Sequence, residues 1–182
     1  MAHIDLGLDE QRHPGINGLL TYRRETGRAL EALADALLVA PNTLTRGERE
    51  LIAAYVSGLN ECTFCAGSHA AFAAAQLEAG MPLVEQVRAD LDTAPVSPKL
   101  RALLRIAGVV RQDGRSVTPA LVAAARAEGA TDVEVHDTVL IAAAFSMFNR
   151  YVDGLGTFAP NDPHRYAAIA PAIVASGYSA GD

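Results

Sequence analysis

The chain has 182 residues and a formal net charge of −6, with 50% of its residues hydrophobic and 20% charged. That length suits one domain with its own core, and the apolar content excludes a disordered chain. The acidic balance argues against nucleic acid or an anionic membrane as the main partner. Alanine supplies roughly a fifth of the residues, far above ordinary usage. Alanine is the best helix former, so the expected class is all-α, a compact antiparallel helical bundle.

The elements are punctuated clearly. Leu19, Leu20, Leu30, Leu33, Leu37 and Leu38 fall at helical spacing and predict a first helix over Asn17–Ala40, ended by Pro41-Asn42. Thr45-Arg46-Gly47-Glu48 reads as a capping box opening a second helix to about Leu59. A short turn follows. A third helix runs from near Cys62 through Glu78, with Gly80 as its stop, and a fourth covers Met81–Leu91. Ser97-Pro98 opens a helix to about Gln112, and Thr118-Pro119 opens one closed by Gly129. Thr131-Asp132-Val133-Glu134 is a second capping box, before a long apolar helix to about Leu155. Asn161-Asp162-Pro163 begins the last helix, which fades near Ser176-Gly177. Eight helices on short loops give no linker long enough to divide residues 1–182.

The start of the chain has neither the basic nor the apolar region of a secretory leader. The longest apolar run, Val139 to Phe148, is far short of a membrane span. The expected location is therefore the cytoplasm. There, the only two cysteines, Cys62 and Cys65, point to redox chemistry or half a metal site rather than a structural disulfide.

Cys62, Cys65 and His69 lie at i, i+3 and i+7 on one helix face. Both cysteines sit in the first turn, where free N–H groups and the helix dipole favour a thiolate. If the second and third helices fold back about residue 60, Glu50 comes level with His69 on the facing helix. The four residues then read as carboxylate (Glu50), base (His69), nucleophile (Cys65) and resolving thiol (Cys62).

The run Glu50, eleven residues, then C-x-x-C-x-x-x-H resembles the signature of the AhpD-like alkylhydroperoxidases of the carboxymuconolactone decarboxylase superfamily. Ser57-Gly-Leu-Asn60-Glu-Cys62 resembles that family's S-x-x-N-x-C run. A looser similarity, including Phe148-Asn149-Arg150, extends over about Leu44–Gly156. It is nearest to the subgroup known only as peroxidase-related. The resemblance implies a peroxidase that uses no cofactor. Cys65, deprotonated through His69 and Glu50, would attack a hydroperoxide; Cys62 would then close a disulfide with it, reopened by a thiol or lipoylated-protein reductant. It also implies a homo-oligomer: a dimer, trimer or hexamer. Some members carry His immediately before the second Cys, where this chain has Phe64.

Other readings stand beside this one. Cys62, Cys65 and His69 could hold zinc, with Glu50 or His136 as a fourth ligand, in a non-enzymatic oligomeric module, although no second cysteine pair exists. A superfamily decarboxylase acting on a carboxylated lactone is a further alternative. Glu50, beside Glu48 and Arg49, could be a solvated charge. His136 reads first as a core histidine, Arg150 and Asp153 as a surface pair, and Glu61 as a helix N-terminal charge. Phe64, Phe72 and Tyr55 are candidate pocket walls, and Asn149-Arg150 a candidate pocket or interface element. His3, His13 and His164 read as surface residues, and Tyr22 and Arg23-Arg24 as a possible interface.

Overall fold

A computed structural model describes residues 1–179, and among them every regular element is helical. The helices are α1 (Ile16–Tyr22), α2 (Arg24–Leu38), α3 (Arg46–Leu59), α4 (Thr63–Ala74), α5 (Gly80–Ala89), α6 (Pro98–Gln112), α7 (Pro119–Ala127), α8 (Asp132–Gly154) and α9 (Pro163–Ser176). A 3-10 turn, Gly114–Ser116, separates α6 from α7.

The polar punctuation of the sequence acts where it was expected. Thr45 and Thr131 both form complete capping boxes with Glu48 and Glu134. Ser97 and Thr118 each accept the N–H three residues on, ahead of a proline in the first turn. These side chains satisfy backbone donors that the first turn leaves without partners.

Two expectations need correction. The first predicted helix is two helices, α1 and α2, parted at Arg23, whose backbone is extended (φ −128°, ψ 82°). Apolar periodicity is blind to this break because both halves keep a buried face. Gly27 permits the kink: a Cβ there would stand 2.4 Å from the Leu20 carbonyl oxygen. The second correction concerns α4, which ends at Ala74 and not near Glu78. Gly80, at φ +59°, opens α5 instead of closing α4. The residues between turn tightly, with the Gly80 N–H donating to the Leu77 carbonyl.

The main core lies among α3, α6 and α8, built from residues such as Leu51, Ile52, Leu103, Ile106 and Ile141. A second, smaller apolar cluster joins α4 to α9 around Cys62, Phe64, Cys65, Phe72 and Tyr166. The most extensively packed helix pair is α3 with α4. Small residues allow it: a Cβ on Gly47 would come within 3.0 Å of the Gln76 carbonyl oxygen. No described helix is long and apolar enough to cross a membrane.

Candidate functional site

The α3–α4 turn sets the cysteines. Cys62 is the N-cap of α4, and its own N–H donates to the Ser57 carbonyl at 3.1 Å. Glu61, just before it, has φ +60°, a left-handed conformation that costs a non-glycine residue about 1 kcal/mol. A buried polar network holds that turn in place. Asn149 on α8 donates to Ser57 Oγ at 3.0 Å and accepts from Asn60 Nδ2 at 2.8 Å. Arg111 donates to Asn60 Oδ1 at 2.9 Å and to the Leu59 carbonyl. Each named residue of the S-x-x-N-x-C run thus has a task in shaping the turn.

Both thiols are free and buried, and Cys62 lies within hydrogen-bonding reach of Cys65. The Cys62 thiol is pushed far above the ordinary cysteine range by its bond to Cys65 and by burial, with a smaller contribution from the Asp153 carboxyl beside it. Cys65, at the third position of α4, reaches a pocket whose lining does not include Cys62.

One turn further on, His69 Nδ1 donates to Glu50 Oε2 at 2.7 Å. Glu50 is 0% exposed and the His69 side chain 12%, so neither is a solvated surface group. Hairpin register explains the meeting: α3 and α4 run back along each other, and their tight approach brings residue 50 level with residue 69. The second Glu50 oxygen accepts the Tyr178 hydroxyl at 2.5 Å. Aromatic rings complete the enclosure of the imidazole. Phe145 meets it edge-on with centroids 4.5 Å apart, and Phe72 does so at 5.4 Å.

The pocket against Cys65 and His69 has a volume of about 140 Å³ and draws on α1, α2, α4, α8, α9 and Tyr178. Its walls are mainly apolar, including Leu20, Leu30, Phe64, Phe72, Phe148 and Ile173. Among the described residues, no Lys or Arg lines it.

Several readings change on this geometry. Glu50 is buried and partnered. His136 is an exposed residue on α8 that pairs with Asp137 at 2.8 Å, so it is neither core nor part of this site. Arg150 donates to the Ser146 carbonyl of its own helix, while Asp153 lies by the Cys62 thiol; the two do not form the expected pair. Tyr55 lines a different cleft, with Arg88 and Glu85. Phe64 packs edge-on to Tyr166 and against Gly15, whose Cβ would overlap its ring at 2.2 Å. Among the described residues, no three His, Cys, Asp or Glu side chains are grouped to hold a metal ion. His3, His13 and His164 are exposed, as expected. Sequence reasoning missed Phe145 and Tyr178. Phe145 sits in an apolar run that signals only core, and Tyr178 stands 128 residues from Glu50 with no motif around it.

Comparison with known proteins agrees with this architecture. The carboxymuconolactone decarboxylase family matches over residues 24–81, a span that contains Glu50, Cys62, Cys65 and His69. No match emerges among curated proteins. An uncharacterized peroxidase-related protein of Ralstonia eutropha JMP134, an alkylhydroperoxidase AhpD core, superposes with a TM-score of 0.77. It is 28% identical, over 90% of this chain and 92% of that one. An uncharacterized peroxidase-related protein of Silicibacter sp. TM1040 shares the fold at a TM-score of 0.76 and 23% identity, over 87% of this chain and 82% of that one. By its helical fold, the family match over residues 24–81 and these neighbours, the chain is similar to the AhpD-like proteins of the carboxymuconolactone decarboxylase superfamily.

Proposed function

We propose that the protein is a thiol-dependent peroxidase that reduces organic hydroperoxides. The carrying observation is a His69 imidazole on the wall of an apolar pocket that Cys65 also lines, backed by the buried Glu50 carboxylate, with the Cys62 thiol within hydrogen-bonding reach of Cys65. The carboxylate orients the imidazole, and the imidazole takes the Cys65 proton. The Cys65 thiolate attacks the distal peroxide oxygen and the O–O bond breaks. The products are Cys65 sulfenic acid and an alkoxide, which leaves as an alcohol after gaining the proton held on His69. The Cys62 thiol then condenses with the sulfenic acid, releasing water and forming a Cys62–Cys65 disulfide. An external dithiol, of the lipoyl type, reopens it by exchange.

A pocket of about 140 Å³ is close to the volume that takes up benzene in an engineered cavity, so it suits a small apolar tail better than hydrogen peroxide alone. A homo-oligomer fits the exposed apolar residues Val133, Leu140 and Met147, spaced by seven along α8.

Stopped-flow mixing of the reduced protein with cumene hydroperoxide tests this reading. Loss of two thiols per chain and formation of one equivalent of alcohol are expected; an unchanged thiol titre under excess peroxide would sink it. The family match supports a second reading, decarboxylation of a carboxylated lactone. A pocket lined by no Lys or Arg among the described residues offers little to hold such a carboxylate. Turnover of the lactone by a Cys62→Ser, Cys65→Ser double variant would favour that reading.

A further inference from the structure

The end of α9 and the segment after it are fastened to the rest of the molecule at three places. Arg46, on α3, donates through its two terminal nitrogens to the carbonyls of Val174 and Ile173, at 2.9 and 3.2 Å, and so closes the end of α9. Gly177 then turns with φ +76°, a conformation glycine takes without strain. A Cβ there would stand 2.6 Å from Asp35 Oδ1. The Asp35 carboxylate, on α2, accepts the Tyr178 N–H at 2.7 Å and the Ser179 N–H at 3.0 Å. The third fastening is the side chain itself: the Tyr178 hydroxyl on Glu50 at 2.5 Å.

That third contact falls on the proposed catalytic pair. Glu50 is fully buried, and its two oxygens take one donor each, His69 on one side and Tyr178 on the other. An isolated carboxylate charge is costly to bury, and donors aimed at it offset the cost. Burial and the Glu50 charge push the Tyr178 phenol well above its ordinary value, so it stays protonated and remains a donor. Its ring also lies over His69, with centroids 6.0 Å apart and planes within 26°, and forms part of the pocket wall. One residue thus contacts the carboxylate, the imidazole and the substrate space.

We propose that Tyr178 is a positioning residue for the thiol reaction: its hydroxyl sustains the buried Glu50 carboxylate and its ring fixes the His69 plane. The strap formed by Gly177–Ser179 is then a working part of the site, though it lies outside the residues matched by the family. This inference rests on the thiol-peroxidase reading for its biological meaning, but not for its test.

The first assay uses a reagent other than peroxide. In a Cys62→Ser background, alkylation of Cys65 by iodoacetamide reports how readily the thiolate forms. Tyr178→Phe keeps the ring, the pocket wall and reagent access, and removes only the donor. We expect alkylation to slow about tenfold with an unchanged melting temperature, the scale of one lost hydrogen bond to a charged group. Single-turnover oxidation of Tyr178→Phe by cumene hydroperoxide should lose maximal rate at an unchanged half-saturating concentration, a split that a general loosening of the fold would not produce. Wild-type rates in both assays would overturn the inference. Slower alkylation in a protein whose wild type ignores peroxide would uphold Tyr178 and refute the peroxidase reading. If Tyr178→Phe fails to fold, Asp35→Ala carries the test by releasing the strap from α2. A fall in alkylation rate then supports the role, and wild-type alkylation overturns it.

Discussion

Glu50 and Glu134 are both buried carboxylates near helix N-termini, and they do opposite work. Glu134, 2% exposed, completes the capping box of α8 by accepting the Thr131 N–H at 2.8 Å, and it pairs with Lys99 Nζ at 2.8 Å. Burial pushes its carboxyl up, yet Lys99 and the Thr131 N–H outweigh this and hold it below the ordinary carboxylate range. A permanent cation and a backbone donor leave such a group nothing to exchange. Glu50 instead faces an imidazole, which can give or take a proton, and a phenol that only donates, and both of these partners line a pocket. Burial alone does not mark a site. The chemistry of the partners and the presence of a cavity do.

The contrast can be broken in order of expected effect. Cys65→Ser should abolish peroxide consumption altogether, whereas Cys62→Ser should still consume one equivalent and stop at a sulfenic acid, seen as +16 by mass spectrometry. Glu50→Gln should slow Cys65 oxidation by about 10²-fold, the scale of losing a positioned acid–base pair, while thermal unfolding shows a folded protein. Glu134→Gln should do the reverse, lowering the melting temperature with Cys65 oxidation kept at the wild-type rate. Equal kinetic losses in the two Gln variants would erase the distinction drawn between these carboxylates.

Lys99→Met should cost about 2 kcal/mol in denaturant unfolding, because it strands the Glu134 charge without touching the thiols. The smallest effect is a pH dependence. The Glu134 carboxyl is lowered in the folded state, so its stabilisation is present above the ordinary glutamate value of about 4.3 and is lost as pH falls through the depressed folded value. Lys99→Met should flatten that acid limb of the stability curve, and an unchanged limb would show that Lys99 is not its cause.

The legible part of the molecule was local. Capping boxes at Thr45 and Thr131 and the Ser-Pro and Thr-Pro helix starts all sit where adjacent residues satisfy one another's backbone groups. The register of Glu50 against His69 was legible too, since a tight turn fixes which residues of two antiparallel helices meet. The α1–α2 break was not, because Arg23 carries no helix-breaking side chain and the close approach of Leu20 to Gly27 that the kink requires is a contact across it. His136 was misplaced for a related reason: Leu140, one turn on, is itself exposed, so apolar neighbours on α8 did not mean a core face.

By itself, the sequence determined an all-helical chain, its caps, and one helix face bearing Cys62, Cys65 and His69, because these follow from spacing along a single helix. Only the tertiary structure decided that Glu50 is fully buried, that Phe145 walls the imidazole, that the thiol opens on an apolar pocket, and that Tyr178 reaches Glu50. Those facts depend on how six helices and a terminal strap converge. Contacts between residues far apart in the chain, such as Glu50 and Tyr178, leave no periodicity to read.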